Sequence, residues 1–146
     1  MNIIEKTREL VAAFPGLDKL SAGVHIDLTD PQPQSVGLAP LGDTLLGSDV
    51  TGTVQQRQHT FMLYCVYSAI NDFERIANSG VLLELALWLE SRGGQIEQEI
   101  GGVHYTGEIT AITTANGRIF DIPQNSFSAA VRYQLQLIVQ YTLEED

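Results

Sequence analysis

The segment Val131–Asp146 (VRYQLQLIVQYTLEED) alternates regularly between apolar and polar side chains. Every second position from Val131 to Leu143 is apolar, and the positions between them are mostly polar and rich in glutamine. Successive side chains of a β-strand point to opposite faces, so this pattern predicts a long strand with one buried face. Chain ends fray unless something holds them. We therefore expect a sheet that this strand completes and that holds it in place.

Two segments have the spacing of helices. Residues 2–17 predict a helix, because apolar residues recur at helical spacing from Ile3 and Pro15-Gly16 then ends the pattern. Residues 72–94 (DFERIANSGVLLELALWLESRGG) predict a second helical region that the final glycines stop. Gly80 lies near its middle and marks a possible break into two helices.

The remaining segments predict strands and loops. Residues 23–28 form a short alternating run, and the glycine-containing stretch 37–53 predicts a long loop. Residues 53–70 begin polar and become apolar on both faces, as in a strand that enters a sheet. Residues 104–122 predict a hairpin, because Asn116-Gly117 suits a type I′ turn.

This order of elements predicts one domain, residues 1–146, of the α+β class. We expect a mainly antiparallel β-sheet with helices packed on one face. A length of 146 residues and a hydrophobic fraction of 44% are sufficient for one substantial core.

The charge of the chain restricts its partners. Eight Lys and Arg residues against eighteen Asp and Glu residues give a net charge of −10. Binding to a phosphate backbone requires cations, so the composition disfavours duplex DNA or RNA as a direct ligand. No apolar run reaches the roughly 20 residues that span a bilayer, and the N-terminal residues do not resemble a signal peptide. We expect a cytoplasmic protein that does not enter a membrane.

The sequence contains no recognisable catalytic or metal-binding motif. His25, His59 and His104 lack metal-ligand spacing, and no nucleophile or phosphate-loop signature is present. Cys65 lies in an apolar run and predicts a buried structural thiol. We therefore expect no enzyme activity, no cofactor and no metal. A small enzyme or ligand-binding module that uses His59, His104 and nearby acids is the alternative from another class.

The glutamine residues have two interpretations. They form either a neutral solvent-facing surface or a subunit contact, since amides hydrogen-bond across an interface without the desolvation cost of charges. Gln134, Gln136 and Gln140 share a face with the polar residues 55–58 only if their strands are neighbours. The acidic residues Glu144–Asp146 are expected to be exposed to solvent and to end the strand.

Three stretches together resemble one family, the minor capsid or tail terminator proteins of long-tailed bacteriophages. They are QRQHTFMLYC, FERIANSGVLLELALWLE and VRYQLQLIVQY, and their order and spacing match over nearly the whole chain. The chain departs from the family pattern at LLGSDVTGTVQQRQ and in the apolar residues 81–83. None of the matching stretches is catalytic.

The resemblance implies a tail-terminator-like domain that assembles with itself into a ring, typically a hexamer. Such a ring caps the tail tube, stops its polymerisation and joins the tail to the head, so its partners are the tail tube protein and the head–tail connector protein. DNA passes through the ring without sequence-specific contact. The protein would occupy the host cytoplasm during assembly and the virion tail or neck afterwards. Another neck or tail-completion protein of the same fold is the alternative within this class.

Long glycine-containing loops and polar strand faces often carry contacts. We therefore predict interface residues in the stretch Gly42–Gly52, in the polar start of the next strand and on the last strand. The predicted residues are Asp43, Asp49, Gln55, Gln56, Arg57, Gln58, Arg132, Gln134, Gln136 and Gln140.

Overall fold

The computed structural model describes residues 1–20, 25–26, 35–67, 70–120 and 131–146. Three α-helices and six β-strands make up most of this part of the chain. The helices are α1 (Ile3–Ala12), α2 (Ile70–Asn78) and α3 (Val81–Glu90), and a short 3₁₀ helix spans Leu17–Leu20. The strands are β1 (His25–Ile26), β2 (Ser35–Ser48), β3 (Val54–Tyr67), β4 (Gly94–Ile100), β5 (Val103–Phe120) and β6 (Val131–Glu145).

The strands form one curled, half-barrel sheet in the order β1-β2-β3-β6-β5-β4. All neighbouring pairs are antiparallel except β1 and β2, which are parallel. The predicted terminal strand is confirmed. β6 lies between β3 and β5, so hydrogen bonds on both sides hold the end of the chain.

One side of the sheet packs against the helices and forms one core with them. We call this side the inner face. Phe61 and Leu63 of β3 lie opposite Leu137 and Leu135 of β6, and all four are buried. Phe73 of α2 packs near both Tyr67 and Tyr133, with ring centroids 5.9 and 5.8 Å apart. The same buried cluster includes α1 residues Ile3, Leu10 and Val11 and α3 residues Val81, Leu82, Leu85 and Leu89.

The sequence-based prediction of the helices is largely confirmed. α1 begins after Asn2, whose side chain accepts a hydrogen bond from the Glu5 amide at 2.9 Å and caps the first turn. Gly80 separates α2 from α3 with a φ of 82°, a conformation that costs glycine little. The predicted break at Gly80 is therefore confirmed.

The prediction of a loop over residues 37–53 is wrong for residues 37–48 and correct for residues 49–53, which form a turn. This stretch forms most of β2, which pairs with β3 from Val36 to Ser48. The register shifts between Pro40 and Gly42 and again between Leu45 and Gly47. Each shift places an extra residue in β2, and this interrupts the alternation that identifies a strand from sequence.

The prediction of a hairpin turn at Asn116-Gly117 is also wrong. β5 continues through both residues, and the turn lies at Gly101-Gly102, where φ is 57° and 84°. Ala115 pairs with Gln136 and Arg118 with Gln134, so two residues of β5 lie opposite one residue of β6. The Asn-Gly pair therefore marks a bulge within a strand. The predicted polar loop after residue 28 and the connection over residues 123–129 fall largely outside the described residues.

Gly107 provides a test of the β5–β6 packing. A Cβ atom at Gly107 would lie 1.7 Å from the Thr142 carbonyl oxygen, which belongs to the backbone and cannot move independently. We expect Gly107→Ala to lower the free energy of unfolding by more than about 2 kcal/mol, measured by urea denaturation.

Gly47→Ala is the matched control, because no heavy atom lies within 4 Å of a Cβ built there. We expect it to change the stability by less than about 0.5 kcal/mol. Equal unfolding midpoints for the two variants would contradict the close approach of β5 and β6.

Candidate assembly surface and inner polar cluster

Gln56 and Gln58 of β3 and the three glutamines of β6 share the face of the sheet opposite the core. β3 and β6 are neighbouring strands, which is the condition under which Gln134, Gln136 and Gln140 could share a face with polar residues of β3. Gln58 lies opposite Gln140, and Gln56 lies opposite Thr142. We call this surface the amide face. It consists of Gln56, Gln58, Thr60, Met62 and Tyr64 of β3 with Arg132, Gln134, Gln136, Ile138, Gln140 and Thr142 of β6.

The amide face contains no carboxylate, although the chain has eighteen acidic residues. Small residues continue this face on the neighbouring strands. They are Ala39 and Thr44 of β2 and Ala111, Thr113 and Ala115 of β5. Acidic residues on the same side of the sheet begin beyond this area, with Glu144 at the end of β6, Glu108 of β5, and Glu97 and Glu99 of β4. The central strands therefore present an area without carboxylates beside an acidic edge.

Side chains on the amide face are arranged by contacts within the sheet. The Gln140 amide donates to Gln58 Oε1 at 3.5 Å, and Thr110 Oγ1 donates to the Gln140 carbonyl at 3.2 Å. The guanidinium of Arg132 lies 5.5 Å from the centre of the Tyr64 ring, within the range of a cation–π contact. An amide donates and accepts, so this surface can pair with another polar surface without burying a charge.

Three of the predicted interface residues, Asp43, Gln55 and Arg57, lie on the inner face and are joined by hydrogen bonds. Arg57 Nε donates to Asp43 Oδ1 at 2.7 Å, and Arg57 Nη1 donates to Gln55 Oε1 at 2.8 Å. The other oxygen of Asp43 accepts hydrogen bonds from His59 Nδ1, at 3.0 Å, and from the Tyr141 hydroxyl. This inner polar cluster joins β2, β3 and β6.

The electrostatics of the cluster centre on Asp43. Burial raises the pKa of Asp43, but the hydrogen bonds from Tyr141, Arg57 and His59 outweigh burial and hold this pKa below its ordinary value. The hydrogen bond to Asp43 raises the pKa of Arg57. Burial, and then the bond to Asp43, raises the pKa of Tyr141. The arrangement keeps an ionised carboxylate among three donors.

Sequence reasoning missed His59 and Tyr141 as partners of Asp43. Asp43 fell in a predicted loop, and Tyr141 follows it by 98 positions. The cluster depends on the pairing of three strands, so no local spacing indicated it. The side chain of His59 is buried, and within the described structure its Nε2 has no hydrogen-bond partner.

Asp49, the remaining predicted residue, organises the turn between β2 and β3. Its carboxylate accepts hydrogen bonds from Thr51 Oγ1 at 3.0 Å, Thr53 Oγ1 at 2.9 Å and the Val54 amide at 3.2 Å. The Val54 amide is the main cause of a lowered pKa at Asp49. Asp49 therefore stabilises a local turn, and its carboxylate is already engaged.

The histidines do not form a metal site in the described structure. Over the described ranges, no group of three or more His, Cys, Asp and Glu side chains is arranged to hold a metal ion. His104 pairs with Asp146, and the hydrogen bond between them raises the pKa of His104. Thr106 Oγ1 donates to the same Asp146 carboxylate at 3.0 Å. Glu144, Glu145 and Asp146 are exposed, as predicted, and Asp146 is in addition hydrogen-bonded to β5.

Cys65 agrees with its predicted role as a buried structural thiol. Cys65 is fully buried, as predicted, and burial raises the pKa of its thiol to about 12. Within the described residues, no helix combines the length and the apolar character needed to cross a membrane.

A cavity of about 500 Å³ opens on the inner face beside the polar cluster. Its apolar walls include Ile4 of α1, Ile96 of β4 and Leu143 of β6. Asp43 and Arg57 line its polar end. The cavity lies within the size range of small-molecule sites, about 300–1,000 Å³.

Comparison with known proteins gives no assignment. No protein-family model matches the chain, and no curated protein has a significantly similar sequence.

The role of Asp43 can be tested by the pH dependence of stability. A carboxyl group with a lowered pKa in the folded state stabilises the protein above its unfolded pKa of 3.8, and this contribution is lost as the pH falls through the folded pKa. We expect Asp43→Asn to lower the free energy of unfolding at pH 7 by about 1–3 kcal/mol. The difference between the variant and the wild type should shrink below about pH 4.

Urea denaturation of both proteins between pH 3 and pH 7 measures this effect. Tyr141→Phe is the control, because it removes one donor and leaves the carboxylate, and we expect a smaller loss of about 0.5–1.5 kcal/mol. A pH-independent difference between wild type and Asp43→Asn would show that the charge of Asp43 is not stabilising.

Proposed function

We propose that the protein is a non-enzymatic structural protein of a long-tailed phage or prophage, and that it caps the tail tube as an oligomeric ring. The resemblance of three stretches to tail terminator proteins suggests this function. The mainly antiparallel sheet with helices on its inner face is compatible with it. The observation that carries the proposal is the amide face, a carboxylate-free area on a chain with a net charge of −10.

The charge distribution explains why this face suits assembly. Copies that each carry a net charge of −10 repel one another, and the repulsion is largest where carboxylates approach. The amide face lets another protein surface approach with no carboxylate from this side. Its Met62, Tyr64 and Ile138 side chains add apolar contact area among the amides. In this proposal the amide face contacts the tail tube or a neighbouring subunit.

The acidic edge of the sheet fits the passage of DNA. Glu97, Glu99 and Glu108 lie together on β4 and β5 beyond the amide face. Acidic groups that line a channel repel phosphates, so DNA slides past them without adhering. We propose that this edge faces the central channel of the ring. An assembled structure with basic residues lining the channel would contradict this orientation.

The inner cavity favours a second candidate, a ligand-binding module. The cavity combines apolar walls with Asp43, Arg57 and Tyr141, whose pKa values are all shifted. Perturbed groups in a cavity are typical of binding sites. However, three donors already occupy the Asp43 carboxylate, as in a structural network. A small molecule that raises the melting temperature of wild type but not of Asp43→Asn would support this second candidate.

The main experiment measures assembly and capping together. We expect the purified protein to form rings with a central hole, alone or on addition of tail tube protein, as seen by light scattering and negative-stain microscopy. Added to growing tubes, it should stop their elongation. A protein that stays monomeric and leaves tube length unchanged at all concentrations would contradict the proposal.

A pair of variants tests the amide face itself. Gln136→Glu and Gln58→Glu each place a carboxylate on the carboxylate-free amide face, and like charges brought together at an interface cost free energy. We expect each to weaken assembly by at least about tenfold, or about 1.4 kcal/mol.

Gln95→Glu is the matched control, because Gln95 is exposed on β4 opposite Glu108, within the acidic edge. The same chemical change there should leave the assembly constant nearly unchanged. Equal effects of the three substitutions would indicate a general charge effect and would exclude a specific role of the amide face.

A further inference from the structure

The turn between β2 and β3 presents apolar side chains to solvent. Val50 at the tip is fully exposed, at 106% of its reference area, and Leu45 and Leu46 just before the tip are about half exposed, at 51% and 49%. Exposed apolar groups that cluster in this way often mark a contact with another protein. We call residues Leu45–Val54 the tip hairpin.

The tip hairpin is held in one conformation. The Asp49 amide donates to the Val54 carbonyl at 3.0 Å, and the Gly52 amide donates to the Asp49 carbonyl at 3.1 Å. Gly52 has a φ of 74°, which glycine adopts without strain. The Glu145 amide also donates to the Thr53 carbonyl at 3.0 Å, so the end of β6 supports the turn. A turn ordered in advance loses little conformational entropy when it docks.

The inner cavity has the complementary character. Its apolar walls can accept a valine or leucine side chain, and Ile100 at its margin is 56% exposed. Its charged lining residues, Asp43 and Arg57, form an ion pair with each other. The first turn of α1 lines it as well, through Ile3 and Ile4. The N-terminus of a helix carries a partial positive charge, roughly half an elementary charge.

The charges of the two surfaces also match. The tip hairpin contains one charged side chain, Asp49, and no cation. The cavity has a neutral ion pair and the positive end of α1. A tip with one negative charge therefore meets a cavity whose acidic lining residue, Asp43, is paired with Arg57, whereas surfaces rich in unpaired carboxylates would repel it.

We propose that the tip hairpin of one copy inserts into the inner cavity of the next copy, with Val50 against the apolar walls. This inference rests on the proposed ring function and names the contact that would build the ring. The tip hairpin and the cavity adjoin each other, since the cavity residue Gln55 directly follows the hairpin, but they are distinct surfaces. A hairpin of one copy in the cavity of the next makes a head-to-tail contact, which closes into a ring when the rotation between copies permits it. The occupant of the cavity is thus a second copy of this chain.

Disulfide crosslinking between copies tests the contact. Val50→Cys and Ile100→Cys proteins are prepared separately, mixed and mildly oxidised, and Cys65 does not interfere because it is fully buried. A disulfide forms only when the Cα atoms come within about 7 Å. We expect the mixture to give a crosslinked heterodimer in at least about tenfold higher yield than a control mixture of Val50→Cys with Leu87→Cys. Leu87 is the matched control position, since it is 58% exposed on α3.

The double variant Val50→Cys/Ile100→Cys distinguishes a head-to-tail arrangement of copies from a reciprocal pair. Head-to-tail contacts give a ladder of crosslinked dimers, trimers and larger species, whereas a reciprocal pair stops at the dimer. Val50→Asp should weaken assembly by at least about tenfold, and Leu87→Asp should not. A dimer as the largest species would overturn the head-to-tail contact.

The outcomes separate this inference from the proposed function. Rings that cap tubes but give no crosslink above the control would overturn the inference and leave the proposed function standing. Crosslinked ladders from a protein that does not stop tube growth would support the inference and contradict the proposed function. A protein that neither associates nor crosslinks would overturn both.

Discussion

The pairing of β3 with β6 is the interaction on which the rest of the structure depends. The two strands pair in unbroken register from Val54 opposite Glu144 to Tyr67 opposite Val131. This register places Phe61 against Leu137 on the inner face and Gln58 against Gln140 on the outer face. A slip of one residue would turn every apolar side chain of one strand toward solvent. The core and the amide face are thus two consequences of one set of backbone hydrogen bonds.

The inner face of the same two strands changes character along their length. From Phe61 to Tyr67 the inward side chains of β3 are apolar or cysteine and lie in the core. Toward the start of β3 they become His59, Arg57 and Gln55, and they form the cluster around Asp43. A cluster that satisfies its own charges can lie beside apolar side chains without a large desolvation cost. This change along one strand creates both the polar network and the cavity next to it.

Several elements of the fold could be predicted from sequence because their signals are local. The alternation in β6 follows from its position between two strands with one face in the core. Gly80 separates two helices because its backbone conformation is unfavourable for other residues. These predictions needed only the spacing of side chains and the geometry of one glycine.

Other elements could not be predicted because their signals are not local. β2 is interrupted by two register shifts, so residues 37–53 lost the alternation of a strand. Asn116-Gly117 has the composition of a tight turn, but the long partner β6 keeps β5 extended and converts the pair into a bulge. The ten predicted interface residues do not form one surface. The strand register places six of them on the amide face and three in the inner cluster, and Asp49 lies in the turn between β2 and β3. Sequence alternation indicates that two faces exist, but only the pairing of strands determines which face a residue joins.

The separation of charge over the surface connects the fold to the proposed assembly. An acidic chain that must associate with copies of itself needs surfaces from which carboxylates are absent or neutralised. Among the described residues, the amide face and the inner cavity are surfaces of this kind, and the charges in the cavity are neutralised because Arg57 pairs with Asp43. A ring that caps a tube must contact its neighbours and the tube through different surfaces, since each contact excludes the other from the same area. Two surfaces without unpaired carboxylates, on opposite faces of one sheet, would meet that requirement in the proposed ring, and the acidic edge beyond β6 would be left for its channel.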